Sequence, residues 1–348
     1  LDVMENGPSS SYASFFDIDW NPVKRELKNK VLIPILGDQY GAVLESGELH
    51  LVYSEGAFHL CYYEHTFPII PKTYVSILSY RLEELEQSIG EENTRYQELL
   101  SIMTALDHLP PYTETDPDRI VERYREKEIV KRRLCLLYRE SREIATFIEG
   151  NLAVFNGTAG EPRSFDLLDD LLRQQVYRLS HWRVATEEIN YRRFFDINSL
   201  GAIRMEDPAV FAETHRMIFD LIREGIISGL RIDHIDGLYD PAEYLDRLQY
   251  GCFLNKWSSC PEFNAGEGAF GPGNEELPDA MEEKIRRKYR EITGFDPNFK
   301  AFYIVGEKIL MKGERLPEDW PVFGTTGYGF MNYLNGLFVD SANGRAFD

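Results

Sequence analysis

Arg231 and Asp233 stand two residues apart at the end of a short apolar run (Ile226, Ile227, Leu230, Ile232), within Gly229-Leu-Arg231-Ile-Asp233-His234-Ile-Asp236-Gly237. Residues two apart on a strand share a face, so guanidinium and carboxylate are expected to project together from its C-terminal end. A guanidinium beside a carboxylate favours the ionised form, which a carboxylate nucleophile needs. A second apolar run, Phe302-Tyr-Ile-Val305, ends in Gly306-Glu307-Lys308. Two strand-end carboxylates, one held ionised and one able to carry a proton, are the minimum equipment for breaking a glycosidic bond. Taken alone, the Arg-x-Asp triplet serves equally well as a structural ion pair at a barrel mouth. A lone strand-end glutamate, likewise, often caps the turn that follows. The chemical reading rests on the two occurring in this order on neighbouring strands.

The intervening chain supplies what would position them. A helix is expected at 208–224, with proline in its first turn, and another from about residue 242. A Gly/Pro-rich stretch, 255–277, then leads to a helix at 279–292 and the strand ending at Glu307. Strand, helix, helix, strand with carboxylates at strand ends predicts an α/β fold, a partial (β/α)8 TIM-type barrel. Upstream, residues 1–25 read as a long ordered loop and 31–36 as a strand. Residues 49–53 and 58–63 form a β-hairpin around Ser54-Glu55-Gly56-Ala57. From 73 to 148, Leu82, Leu85 and Ile89, then Leu134, Leu137 and Ile144, recur at helical spacing, with a break at Pro110-Pro111. Residues 166–178 read as a further helix. Three regions result: a barrel segment with the hairpin (1–72), a large helical insertion (73–180), and a barrel segment carrying both carboxylates (181–348).

With 348 residues, 43% of them hydrophobic, the chain can bury a large core. Its net charge of −20 argues against nucleic acid and anionic membrane as partners and suits a neutral substrate. The Lys/Arg cluster at 125–133 is interspersed with Glu126 and Glu128, which predicts a solvated, salt-bridged face. No apolar run reaches the ~18 residues of a membrane span, and no signal peptide opens the chain. Cys61, Cys135, Cys252 and Cys260 show neither CxxC pairing nor histidines at metal spacing. They are expected to be free thiols in a reducing cytoplasm, with no metal.

The segments GLRIDHIDGL (229–238) and IVGEKIL (304–310) resemble the nucleophile-strand and acid/base-strand motifs of the α-amylase superfamily. Three longer segments are more selective: MENGPSSSYASFFDIDW (4–20), YRLSHWRVATEEINYRRFFDIN (177–198) and EKILMKGERLPEDWPVFGTTGYGF (307–330). These resemble the maltooligosyl trehalose synthases, the (1→4)-α-D-glucan 1-α-D-glucosylmutases. The resemblance implies an intramolecular, retaining transglucosylation on a maltooligosaccharide or other α-1,4-glucan. Asp233 would be the nucleophile and Glu307 the acid/base, with Arg231 orienting the former. His234, Asp236 and Lys308 become candidates to meet the sugar. Tyr191, Phe194, Phe195 and Trp182 would wall the site, although the same rings are equally candidates for ordinary packing. Asp17 and Trp20, with Tyr12, Phe16 and Asp19, lie on a loop expected to border the cleft. The resemblance further implies no cofactor, a cytoplasmic setting and functional coupling to a trehalose-releasing hydrolase. Gly329 stands where the family usually has an acidic residue, and Gly306 where a larger apolar one is common. The family's Asn-His strand motif would precede Leu1 and its third catalytic aspartate would follow Asp348, so the chain reads as the middle of the enzyme. An α-glucan hydrolase and a catalytically silent glucan-binding piece are the alternatives.

Overall fold

The computed structural model describes residues 1–258, 279–311 and 313–346. Cys260 and most of the Gly/Pro-rich stretch lie outside them. The chain divides into two units, Leu1–Ile203 and Arg204–Asp348.

The first unit opens with a short helix α1 (Asp2–Asn6) and 3-10 turns, where a loop was expected. Strand β1 (Val31–Leu36) and helix α2 (Tyr40–Glu45) follow, then β2 (His50–Ser54), β3 (Ala57–Tyr62) and β4 (His65–Pro68). The hairpin β2–β3 turns through Glu55 and Gly56, both at positive φ, as tight two-residue hairpin loops prefer. Strand β4 extends it to three antiparallel strands. The helical region is α3 (Tyr74–Leu78), α4 (Leu82–Ile89), α5 (Thr94–His108), α6 (Pro117–Glu140) and α7 (Arg142–Phe155). Side-chain caps start the three long helices: Asn93 accepts the Arg95 amide, Asp116 those of Asp118 and Arg119, and Ser141 that of Ile144. The helix expected at 166–178 is instead α8 (Asp166–Arg173) followed by strand β5 (Tyr177–His181), which pairs in parallel with β1. The stop between them is Gln175. Fully buried, it accepts the Ile70 amide at 2.8 Å and donates to the Leu171 carbonyl at 2.6 Å. A one-turn helix α9 (Ala185–Glu188) and a small hairpin, β6 (Arg193–Phe194) and β7 (Ile197–Gly201), complete the unit. Its core joins Val31, Ile33, Leu51, Phe58, Leu60, Ile102, Leu134, Ile148 and Tyr177.

The basic run on α6 departs from its expected solvated face. Arg125 and Arg133 do form outward pairs with Glu126 and Glu98. Lys127, however, has only 4% of its side chain exposed and lies 2.5 Å from Glu5 of α1, which Lys131 also contacts. Arg123, fully buried, donates to the carbonyls of Pro110 and Glu5. Burial pushes the Glu5 carboxyl up, but the two ammonium groups outweigh it and leave the group below its ordinary value. Glu5→Gln is therefore expected to destabilise the protein by about 3–5 kcal/mol, because two lysines lose their buried counter-charge. Because the folded-state pKa is lowered, the Glu5 contribution is complete above the unfolded carboxyl's pKa and is lost as pH falls through the folded value. Urea titrations of wild type and Glu5→Gln should thus converge in acid; a pH-independent difference would remove Glu5 as the cause.

The second unit comprises α10 (Pro208–Arg223), β8 (Gly229–Ile232), α11 (Pro241–Ser258), α12 (Asp279–Phe295), β9 (Tyr303–Gly306) and α13 (Tyr328–Gly336). Asp207 caps α10 with Pro208 at its first position. Ile226 and Ile227, expected in the strand, precede it. Strands β8 and β9 pair in parallel with Leu230 opposite Ile304 and Ile232 opposite Gly306. Residues 322–326 flank β9 on its other side: the Phe323 amide donates to Ile304 and the Thr326 amide to Gly306, with Gly306 and Thr325 in a parallel bridge. Ile304, Phe302, Val322, Leu245, Leu248 and Phe211 form this unit's core. Among the described residues no helix is long and apolar enough to cross a membrane.

Candidate active site

The C-terminal ends of β8 and β9 are held level by one further ladder bond, from the Glu307 amide to the Ile232 carbonyl at 2.7 Å. That bond places Glu307 beside the residue preceding Asp233. Arg231 lies between the two carboxylates: Nη1 is 2.7 Å from Asp233 Oδ1 and Nη2 is 3.5 Å from Glu307 Oε1. Its Nε donates to Thr326 Oγ1 at 3.3 Å. Tyr328 donates its hydroxyl to Glu307 Oε1 at 3.3 Å. Asp233 is the more open carboxylate, with 61% of its side chain exposed against 26% for Glu307. The two acids expected from the sequence share one guanidinium.

After Asp233 the chain turns sharply. His234 adopts a left-handed conformation (φ 54°) and starts a 3-10 turn, Ile235–Gly237. Such a backbone costs a non-glycine residue about 1–3 kcal/mol and needs support around it. Ile235 supplies it: the side chain is fully buried, worth about 1.5–3 kcal/mol. Its Cδ1 would lie 2.5 Å from any Cβ at position 306. Glycine at 306 thus makes room for Ile235. Gly237 leaves similar room for the His234 imidazole, whose Nε2 would lie 2.1 Å from a Cβ there. His234 Nδ1 is 3.6 Å from Asp236 Oδ1, and Lys308 Nζ is 3.3 Å from Asp236 Oδ2.

The remaining expected residues fall in the first unit. Residues 16–20 run against 190–192: Ile18 bridges Tyr191, the Arg192 amide donates to the Asp17 carbonyl at 3.0 Å, and the Arg192 and Asp17 side chains pair at 3.5 Å. Trp20 and Tyr191 pack against that unit's core. The Tyr191 hydroxyl bonds the Asn198 carbonyl, and burial pushes its pKa up to about 12. Trp182, Phe194 and Phe195 are exposed instead, the two phenylalanines edge to face at 4.6 Å. Packing claims two of these rings, and the other three are exposed. Thr326 and Tyr328 were missed as individual site residues. Their signal was the short Val322-Phe323 run closed by Gly324-Thr-Thr-Gly327, a strand and turn in miniature.

A parallel β-ladder carrying two acids on one arginine has the equipment of enzymes that act on glycosidic bonds. The relatives of this chain are named within that class. Over 167 residues it is 34% identical to the putative maltooligosyl trehalose synthase of Mycobacterium tuberculosis, in strains CDC 1551 / Oshkosh and ATCC 25618 / H37Rv. The matched region is 48% of this chain and 16% of those relatives, so the match spans about one sixth of their length. The solved maltooligosyltrehalose synthase of Arthrobacter ramosus is 26% identical, covering 98% of this chain and 26% of that one with a TM-score of 0.49. The DSM5389 glycosyltrehalose synthase covers 99% of this chain and 28% of its own, at 24% identity and a TM-score of 0.49. No family model matches. The family resembled by the three long motifs is the one these relatives are named for.

Proposed function

We propose that the protein carrying this chain is a maltooligosyl trehalose synthase. It converts the reducing-end α-1,4 bond of a maltooligosaccharide to an α,α-1,1 bond, on a partial (β/α)8 TIM-type barrel with a large helical insertion. The observation that carries this reading is the single arginine within reach of Asp233 and Glu307 at level, hydrogen-bonded strand ends. Asp233 attacks the anomeric carbon of the penultimate glucose and forms a β-glycosyl-enzyme as the C1–O4 bond breaks. Glu307 gives its proton to the departing O4. The released glucose stays bound and turns until its own anomeric hydroxyl faces the intermediate. Glu307, now a carboxylate, takes that hydroxyl proton while the new bond forms and Asp233 leaves, so configuration is retained. The two carboxyls supply covalent capture and proton transfer, and the reaction asks for no metal or organic cofactor.

The product has no reducing end and suits a trehalose-releasing hydrolase as the next enzyme, in a cytoplasmic setting. Maltopentaose incubated with the whole protein should lose reducing power without releasing glucose. Free glucose with new reducing ends would indicate an α-glucan hydrolase, and binding without conversion a silent glucan-binding protein. Water that replaces the retained glucose gives hydrolysis. Phe194→Ala or Phe195→Ala should therefore raise glucose release relative to trehalose-ended product, measured by chromatography of one reaction mixture. An unchanged ratio would place these exposed rings away from the site.

A further inference from the structure

Lys308 directly follows the acid/base glutamate, and its side chain is engaged by two other carboxylates. Only 12% of that side chain is exposed, and its ammonium lies 2.9 Å from Glu314 Oε1 and 3.3 Å from Asp236 Oδ2. Glu314 is itself fixed. It accepts the Met311 amide at 2.8 Å, and its own amide donates to the Met311 carbonyl at 2.9 Å. Hydrogen bonding to Glu314 pushes the Lys308 pKa up despite burial, while the Met311 amide and Lys308 hold the Glu314 carboxyl below its ordinary value. Charge-assisted bonds of this kind are the strong ones, and they occupy two of the three donors an ammonium has.

Asp236 sits in the turn behind Asp233, and Lys308 sits directly behind Glu307. The two strand ends are therefore tied twice, by the Glu307–Ile232 backbone bond and by the Lys308–Asp236 contact. We infer that Glu314, acting through Lys308 and Asp236, is a positioning residue that fixes the Glu307 carboxyl relative to Asp233 and touches no sugar. This deepens the glycosyl-transfer reading and rests on it. A retaining mechanism needs its carboxyls about 5–5.5 Å apart, so a loosened strand end should cost turnover before it costs binding.

The test compares Glu314→Gln and Lys308→Met with Lys308→Arg in the whole protein. On maltopentaose, kcat should fall by about 10–100-fold with KM little changed, as misplacement by an ångström does elsewhere. On α-maltosyl fluoride, whose leaving group needs no proton, the loss should be far smaller. Lys308→Arg should restore most of the rate. Hydrogen exchange at the Glu307 amide should quicken in Glu314→Gln without a change in the thermal midpoint. A raised KM at constant kcat would make Lys308 a sugar ligand instead, and equal losses on both substrates would overturn positioning. Should Glu307→Gln itself show no dependence on leaving group, the glycosyl-transfer reading fails. In that case exchange at the Glu307 amide alone upholds or overturns the tie.

Discussion

Asp233→Asn in the whole protein is expected to abolish turnover of maltopentaose, by roughly 10⁴-fold or more given what removing a catalytic nucleophile costs elsewhere, while leaving the oligosaccharide bound. An amide oxygen of the same size still accepts from Arg231 Nη1, so the geometry of the β8 end survives. The nucleophile does not. Stability should barely move, because the Arg231–Asp233 pair is more than half exposed on both sides and such pairs contribute about 0–1 kcal/mol. Calorimetric titration with maltopentaose separates retained binding from lost chemistry. A sharper readout is Asp233→Ala in azide: the small anion fills the vacated face and displaces the leaving group once, giving a β-glycosyl azide. Normal turnover of the Asn variant, or no azide product from the Ala variant, would remove Asp233 as nucleophile.

Much of this candidate site is legible in the sequence because local signals mark it. Gly229 and Gly306 bracket short apolar runs, and the acids follow at the strand ends. Asp-Pro at 116–117 and 207–208 announces two helices through side-chain caps that act within three residues. Strand β5 lacked such punctuation. The leucine spacing of α8 runs on into Tyr177-Arg-Leu179 with no Gly or Pro between, and what ends the helix is Gln175 bonding to Ile70, 105 residues away. Strand β4 is four residues long and closes on a proline, too short for alternation to register. The charged face of α6 misled for the same reason: Lys127 is buried because Glu5, 122 residues earlier, meets it there. Thr326 approaches Arg231 across 95 residues. Local pattern therefore marks both candidate acids at their strand ends, whereas Thr326 beside them and Gln175 at the end of α8 depend on contacts that only folding creates.

Glu307→Gln should slow maltopentaose by about 10²–10⁴-fold, the usual contribution of a positioned acid/base, and slow α-maltosyl fluoride far less. The amide keeps an oxygen for the Tyr328 hydroxyl at 3.3 Å and for Arg231, so the loss isolates proton transfer from architecture. Fluoride departs without a proton, whereas a sugar oxygen does not, and that asymmetry distinguishes an acid from a residue that merely orders the strand end. Azide extends the argument to the second step. In Glu307→Ala it attacks the β-glycosyl-enzyme already formed on Asp233 and yields an α-glycosyl azide, the opposite anomer from the Asp233→Ala product. Two inversions give the first outcome and one gives the second, so the anomeric proton coupling in each product reports which carboxylate was lost. The same anomer from both variants, or equal rate losses on both substrates, would mean that Asp233 and Glu307 do not divide the work as nucleophile and acid/base.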